Sequence, residues 1–263
     1  MAVIAAATST LRVAAFVFNN DLRHPAVLGQ DLASLDVLSE GRLDVAIGAG
    51  WNIPEYEAIG IPFEPVAVRQ ERLEEAVAVL KGYFGDETFS FSGKHYTITG
   101  LDGLPKPVQR PYPPFMIGGG GRRTLELAGR EAQIASLAPR IKGGRSDLTS
   151  ITSAAVEEKI GWVREAAGAR FDEIELNIYP TMLGPVLDED PKRAAAQNAR
   201  EVSERRGSEV TAEQLLESPH VFIGSVESYV EKFLGLRERF GITSIMVGEL
   251  GPLDPIVERL SGS

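Results

Sequence analysis

Apolar residues along this chain recur with two alternating periods. Leu11–Asn19 (LRVAAFVFN) is a short apolar run entered through Thr8-Ser9-Thr10 and left through Asn20-Asp21, as a strand buried on both faces would be. Leu28, Leu32 and Leu35 then fall at helical spacing, and Ser39-Glu40-Gly41 ends that helix with glycine in the usual stop position. Asp44–Ala49 (DVAIGA) is the next strand. Arg69–Phe84 is the clearest helix, with Leu73, Ala76, Val77, Leu80 and Phe84 on one face and Arg and Glu covering the other. Phe115–Gly118, Ile134–Leu137, Ile174–Pro180 and Thr243–Val247 read as further strands. Helices fall between them at Arg123–Arg130, around Val156, Ile160 and Val163, and around Tyr229, Val230, Phe233 and Leu234, the last closed by Gly241.

Strands alternating with helices are the signature of parallel βαβ units. Two stretches interrupt the rhythm. Thr88–Ile98, with Ser92-Gly93 between aromatic-rich arms, reads as a hairpin inserted in a long loop, and Leu187–Pro219 is polar, charged and helical, a lid or a surface excursion. With their flanks, these insertions occupy 86–110 and 185–221. No long polar linker divides the chain, so residues 1–263 read as one domain. Six βα-type strands are visible. Six suits a complete doubly wound sheet or an eight-stranded barrel short of two units, and at about 31 residues per barrel unit the length alone does not decide.

The composition narrows the function classes. Lys and Arg total 27 against 37 Asp and Glu, a formal charge of −10, which disfavours nucleic acid or an anionic membrane face as partner. There is no cysteine, which excludes disulfides, thiolate metal sites and a Cys nucleophile. Three scattered histidines, His24, His95 and His220, argue against a three-His zinc site. No apolar run approaches the ~20 residues needed to span a bilayer, and the N-terminus lacks a signal-peptide pattern, so a cytoplasmic location is expected.

Glycine supplies the strongest chemical signal, at 27 of 263 residues. Two clusters, Gly48-Ala49-Gly50 and Gly118-Gly119-Gly120-Gly121, sit at strand C-terminal ends, and the second, followed by Arg122 and Arg123, runs into a helix N-terminus. Such turns let backbone N–H groups approach a phosphate, although plain tight βα turns would look the same. Neither matches the dinucleotide or Walker A fingerprint. Glu55 and Glu57 follow Trp51-Asn52 in a loop where a ligand would bind, and His24 lies in the loop after the first strand. His24 and Glu55 are the candidates for acid–base work, with solvated or loop-bracing roles as the plainer alternatives. His95 and His220 read as structural, Val45 and Ile47 as core residues. No G-x-S-x-G elbow supports a serine hydrolase.

Arg23-His24-Pro25, Asp36-Val37-Leu38-Ser39-Glu40-Gly41-Arg42 and Gly48-Ala49-Gly50-Trp51 together resemble the luciferase-like monooxygenase superfamily. The likeness continues through Arg69-Gln70-Glu71-Arg72-Leu73-Glu74-Glu75, Lys106-Pro107 and the strand ending in Gly118–Gly121. It closes with Ile223-Gly224-Ser225 and Phe240-Gly241-Ile242-Thr243, nearly the whole chain. Within the superfamily the chain looks most like the actinobacterial branch that uses coenzyme F420, a 5-deazaflavin. Glu40, where a small or amide residue is usual, and Ala14-Ala15, where Gly-Thr is commoner, depart from the pattern.

The resemblance implies a TIM (β/α)8-type barrel with a deazaflavin or flavin ring at the C-terminal mouth of the strands. It places a bulge with a non-prolyl cis peptide at Phe16–Val17, behind the ring, with Asn19 and Asn20 lining the mouth. Gly48, Gly50, Trp51 and Asn52 would border the cofactor tail, and Gly118, Gly119 and Gly120, with Arg122, its phosphate. The function implied is an F420-dependent oxidoreductase acting on a small organic molecule. FMN-dependent monooxygenation, a non-catalytic flavin-binding barrel and, more remotely, a metal-dependent hydrolase are the alternatives, and a homodimer is left open. The motifs begin at the helix preceding the family's third strand, so the first two βα units, about 60 residues, are expected to be missing from this chain.

Overall fold

The computed structural model describes residues 1–142, 145–180, 185–206, 209–248 and 253–261. The described chain forms two compact units, Met1–Gly118 with Glu126–Ile134, and Gly119–Leu125 with Ala135–Ser263. The first begins with α1 (Ala2–Ala7), β1 (Phe18–Asn19), α2 (Pro25–Leu38), β2 (Val45–Gly48), α3 (Ile53–Ala58), α4 (Val66–Phe84) and β3 (Phe115–Gly119). The chain continues through α5 (Arg122–Glu131), β4 (Ile134–Leu137), α6 (Ser153–Ala167), β5 (Glu175–Ile178), α7 (Pro191–Arg206), α8 (Ala212–Glu217), α9 (Val226–Phe240), β6 (Ile242–Ile245) and α10 (Asp254–Leu260). The six strands form one sheet in the order β1-β2-β3-β4-β5-β6, and the pairs β1–β2, β2–β3 and β5–β6 are parallel. Strands ordered as they occur in the chain, joined by helices, have the connectivity of a (β/α)8-type barrel, here with six strands among the described residues.

Burial explains the elements. All four residues of β2, and all four of β4, are buried, as parallel strands covered on both faces should be. The expected strand over 11–19 is a correction. Only Val13 bridges Leu43, the chain then breaks pairing through a cis Phe16–Val17 peptide, and Phe18–Asn19 resumes against Ile47–Gly48. Phe16 and Val17 are exposed rather than core. In α4, likewise, Arg69 is not on a solvent face. It is buried, donates to the carbonyls of Glu64, Ala49 and Gly50, and stacks on Phe63.

Polar residues of the sequence motifs turn out to brace loops. Asp36 is fully buried and accepts hydrogen bonds from the Val108 and Gln109 backbone N–H groups at 2.7 and 3.0 Å. Arg42 donates to the carbonyls of Ala5, Leu11 and Ser39. Glu40 has φ 56°, a left-handed conformation that glycine and asparagine tolerate better than glutamate.

The hairpin pairs Phe89–Ser92 with Thr97–Leu101, so its turn is Gly93–Tyr96. The stretch from 187 is more than a surface excursion. Val186–Leu187 pairs in parallel with Ile223–Gly224, and Ala195, Ala199, Val202, Leu215 and Val221 form part of a separate buried cluster. Gly207 and Ser208, within that stretch, lie outside the described residues.

Candidate functional site

Barrel-type sites are built from the loops beyond the C-terminal ends of the strands. In the first unit, β1 and β2 end side by side, with Asn19 opposite Gly48. Val17 comes within 3.0 Å of where a Cβ on Gly48 would stand. Gly50 has φ +74°, and a Cβ there would collide with the Tyr56 hydroxyl and the Asn19 amide, so only glycine fits. Phe16, Val17 and Trp51, on the segments flanking these strand ends, remain 40%, 36% and 53% exposed. The fold thus brings Val17 against Gly48 and Asn19 against Gly50, with Phe16 next to Val17 and Trp51 next to Gly50 along the chain.

Beneath them lies a polar cluster that the sequence reading largely missed. Tyr56, fully buried on α3, lies 3.0 Å from both Asn19 Oδ1 and Asp21 Oδ2. Burial pushes its phenol up to about 12, so it is a hydrogen-bond donor throughout the physiological range. Asn20 donates to the Tyr96 hydroxyl at 3.2 Å. Arg72 Nε stands 3.2 Å from Asp21 Oδ1, an ion pair out of line for a hydrogen bond. Asn19 Nδ2, Asn20 Oδ1, Asp21 Oδ1 and Arg72 Nη2 are buried with no hydrogen-bond partner. Buried polar atoms in folded proteins are almost always paired, so this cluster has spare capacity for a polar ligand group. Only Asn19 and Asn20 were legible beforehand; Tyr56 and Asp21 carry no pattern that distinguishes them from core and loop residues.

The hairpin delivers Tyr96 to this cluster. Glu75 on α4 accepts hydrogen bonds from the backbone N–H groups of Lys94, His95 and Tyr96 at 2.8, 2.9 and 3.0 Å. Partial burial pushes the Glu75 carboxyl up, but the three N–H groups outweigh it and hold it below the usual range. His95 meets Glu71 at 3.2 Å and so braces the same turn. His24 is the N-cap of α2: its Nδ1 accepts from Ala26 N at 3.3 Å, and its ring meets Tyr96 edge-on at 5.4 Å. Glu55 is exposed in the first turn of α3, and Asn52 is its N-cap without a side-chain capping bond.

In the second unit, Gly119–Gly121 leads into α5. A Cβ on Gly120 would strike the Pro139–Arg140 peptide, whereas nothing lies within 4 Å of one on Gly121. Gly118 is the fourth residue of β3, just before this turn. Arg122 is engaged with Glu165 at 3.3 Å on the surface. His220, read as structural, is completely buried and bonded through Nδ1 to Tyr179 O at 2.6 Å. Among the described residues no group of three or more His, Asp or Glu side chains could hold a metal ion, and no helix is long and apolar enough to cross a membrane.

Comparisons with known proteins fit this architecture. The chain is 36% identical over 125 residues to an FMNH2-dependent dimethylsulfone monooxygenase of Pseudomonas putida, covering 48% of this chain and 34% of that protein. It is 34% identical over 128 residues to an F420-dependent glucose-6-phosphate dehydrogenase of Kineococcus radiotolerans, covering 48% and 37%. The chain thus matches little more than a third of the length of either relative. The solved coenzyme F420-dependent tetrahydromethanopterin reductase of Methanopyrus kandleri superposes with a TM-score of 0.73 at 20% identity, covering 96% of this chain and 80% of that one, which shows a shared fold. The family model for luciferase-like monooxygenases matches residues 1–214, from α1 through α7. With that span and this strand order, the chain belongs to the luciferase-like monooxygenase family.

Proposed function

We propose that the protein is an oxidoreductase that passes a hydride between the deazaflavin coenzyme F420 and a small organic substrate. The observation that carries this reading is the exposed apolar pair Phe16 and Val17, with Val17 against Gly48, beside the strand ends where a barrel enzyme keeps its site. These residues fit a planar ring. Phe16 and Val17 would back it and exclude water, the unpartnered Asn19 Nδ2 would meet its polar edge, and Gly48, Gly50, Trp51 and Asn52 would border its tail. In the second unit, the N–H groups of Gly119, Gly120 and Gly121 at the start of α5 suit a phosphate, with Gly118 before them. Arg122 would exchange its exposed ion pair with Glu165 for that anion, since surface pairs contribute little. His24, with Nδ1 occupied as a cap, leaves Nε2 to hold or move a proton, and Glu55 is the second such group. When bound, a deazaflavin supplies two-electron hydride transfer, because carbon replaces the flavin N5.

The similarity to an FMNH2-dependent monooxygenase favours FMN as the second reading. Calorimetric titration with F420 and with FMN separates the two. The expected result is F420 binding in the micromolar range or tighter and weak FMN binding. Preferential FMN binding moves the protein to the monooxygenases, and no binding of either leaves a non-catalytic barrel. Gly121→Val adds a side chain in open space, so it should leave the melting transition unchanged yet weaken binding of the phosphate-bearing cofactor at least about tenfold, the loss of one or two charge-assisted contacts.

A further inference from the structure

Lys159 sits in the middle of α6 and is 1% exposed. Its ammonium donates to Ala138 O at 2.7 Å and Ser150 O at 2.8 Å, and lies 3.4 Å from His220 Nε2. The His220 Nδ1 contact to the Tyr179 carbonyl puts the ring proton on Nδ1, so the Nε2 lone pair faces Lys159. All three ammonium donors are thereby directed at acceptors.

The groups gripped in this way share one location. Ala138 immediately follows β4 and Tyr179 immediately follows β5, so both lie just beyond C-terminal strand ends. Ala138 and Ser150 bound a segment closed on itself: Arg140 N donates to Ser150 Oγ at 2.8 Å and Asp147 N to Arg140 O at 2.7 Å. The start of that segment lies against the glycine turn. Ala138 N donates to Gly119 O at 3.1 Å, and the Pro139–Arg140 peptide fills the space beside Gly120.

We propose that Lys159 is a positioning residue that sets the wall of the Gly119–Gly121 anion cradle, through the 138–140 peptide, and so makes cofactor affinity depend on its own protonation. This rests on the reading of that turn as the phosphate site. The charged groups facing Lys159 are Arg140, which opposes its protonation, and Glu158 and Asp147, which favour it; His220 faces it as the neutral ring. Burial, with Arg140 second, draws the ammonium down to about 7, and burial with the neighbouring Lys159 draws His220 down to about 3. The amine that remains after deprotonation has two hydrogens for three acceptors and has lost the charge that strengthened each bond, so the His220 contact goes and the grip on the Ala138 and Ser150 carbonyls weakens.

The test measures F420 affinity by fluorescence from pH 6 to pH 9 for the wild type, Lys159→Met and Lys159→Arg, alongside the ring portion of the cofactor lacking its phosphate. Hydrogen-exchange protection of amides 138–142 and 145–150 is followed without ligand. Wild-type affinity for F420 should fall about tenfold across this range, with the 138–150 protection falling in parallel and the phosphate-free ring unaffected. Lys159→Met should bind F420 weakly at every pH, and Lys159→Arg should bind with the pH dependence removed. Affinity that is pH-independent and equal in wild type and variants overturns the inference while leaving the proposed function standing. If the wild type binds no cofactor but protection still follows pH, the proposed function fails and the cradle role fails with it, leaving a loop clamp. Should Lys159→Met not fold, the wild-type profile and Lys159→Arg decide the matter alone.

Discussion

Gly50 shows how one position can be fixed twice over. Its φ of +74° lies in the left-handed region, and its Cβ direction is occupied by the Tyr56 hydroxyl and the Asn19 amide. Gly50→Ala should therefore destabilise the protein by about 2 kcal/mol or more, read as a lower urea midpoint with an unchanged slope. Tyr56→Phe should cost less, about 1 kcal/mol, since it removes a hydroxyl but keeps the ring against Phe63. At this scale the sequence was legible wherever a residue type admits one geometry, as at Gly50. It was not legible at Asp36, Arg69 and Lys159, whose charges suggest solvent. For Lys159 a signal existed. Val156, Lys159, Ile160 and Val163 fall at i, i+3, i+4 and i+7, so the lysine lies within the apolar stripe of α6 rather than opposite it.

Among the elements, the hairpin is tied to α4 through its turn. Glu75 takes three consecutive backbone N–H groups of the Gly93–Tyr96 turn, while Glu71 adds side-chain contacts to Lys94 and His95. Glu75→Ala should destabilise by about 1–3 kcal/mol and expose amides 94–96 to hydrogen exchange well before the flanking strands. The long helices and the buried strands β2 and β4 could be read from periodicity because burial on one stripe, or on both faces, selects apolar residues directly. β1 could not, because its pairing is interrupted and Phe16 and Val17 are apolar yet exposed. In that segment hydrophobicity reports exposed apolar surface instead of a core. The parallel pairing of Val186–Leu187 with Ile223–Gly224 was equally hidden, since two-residue strands carry no period.

For the molecule as a whole, the buried bases give stability a definite pH dependence. Lys159 and Lys232 are drawn by burial to about 7 and about 8 in the folded protein, against 10.5 when free. Between those values the unfolded chain binds more protons, so stability must rise with pH from about 7 to 10. His220, lowered from 6.5 to about 3, adds a further loss as pH falls below 6.5. Scanning calorimetry should accordingly find a higher melting temperature at pH 9 than at pH 6, and Lys159→Met should flatten that difference. A final consequence follows from Trp51. The chain has two tryptophans; Trp51 stands largely in water at the strand ends, while Trp162 lies half-buried on α6. Their emission should therefore separate by wavelength, with Trp51 to the red. A chromophore settling beside Trp51 would dim that component first, giving the native protein its own optical gauge of occupancy without any label.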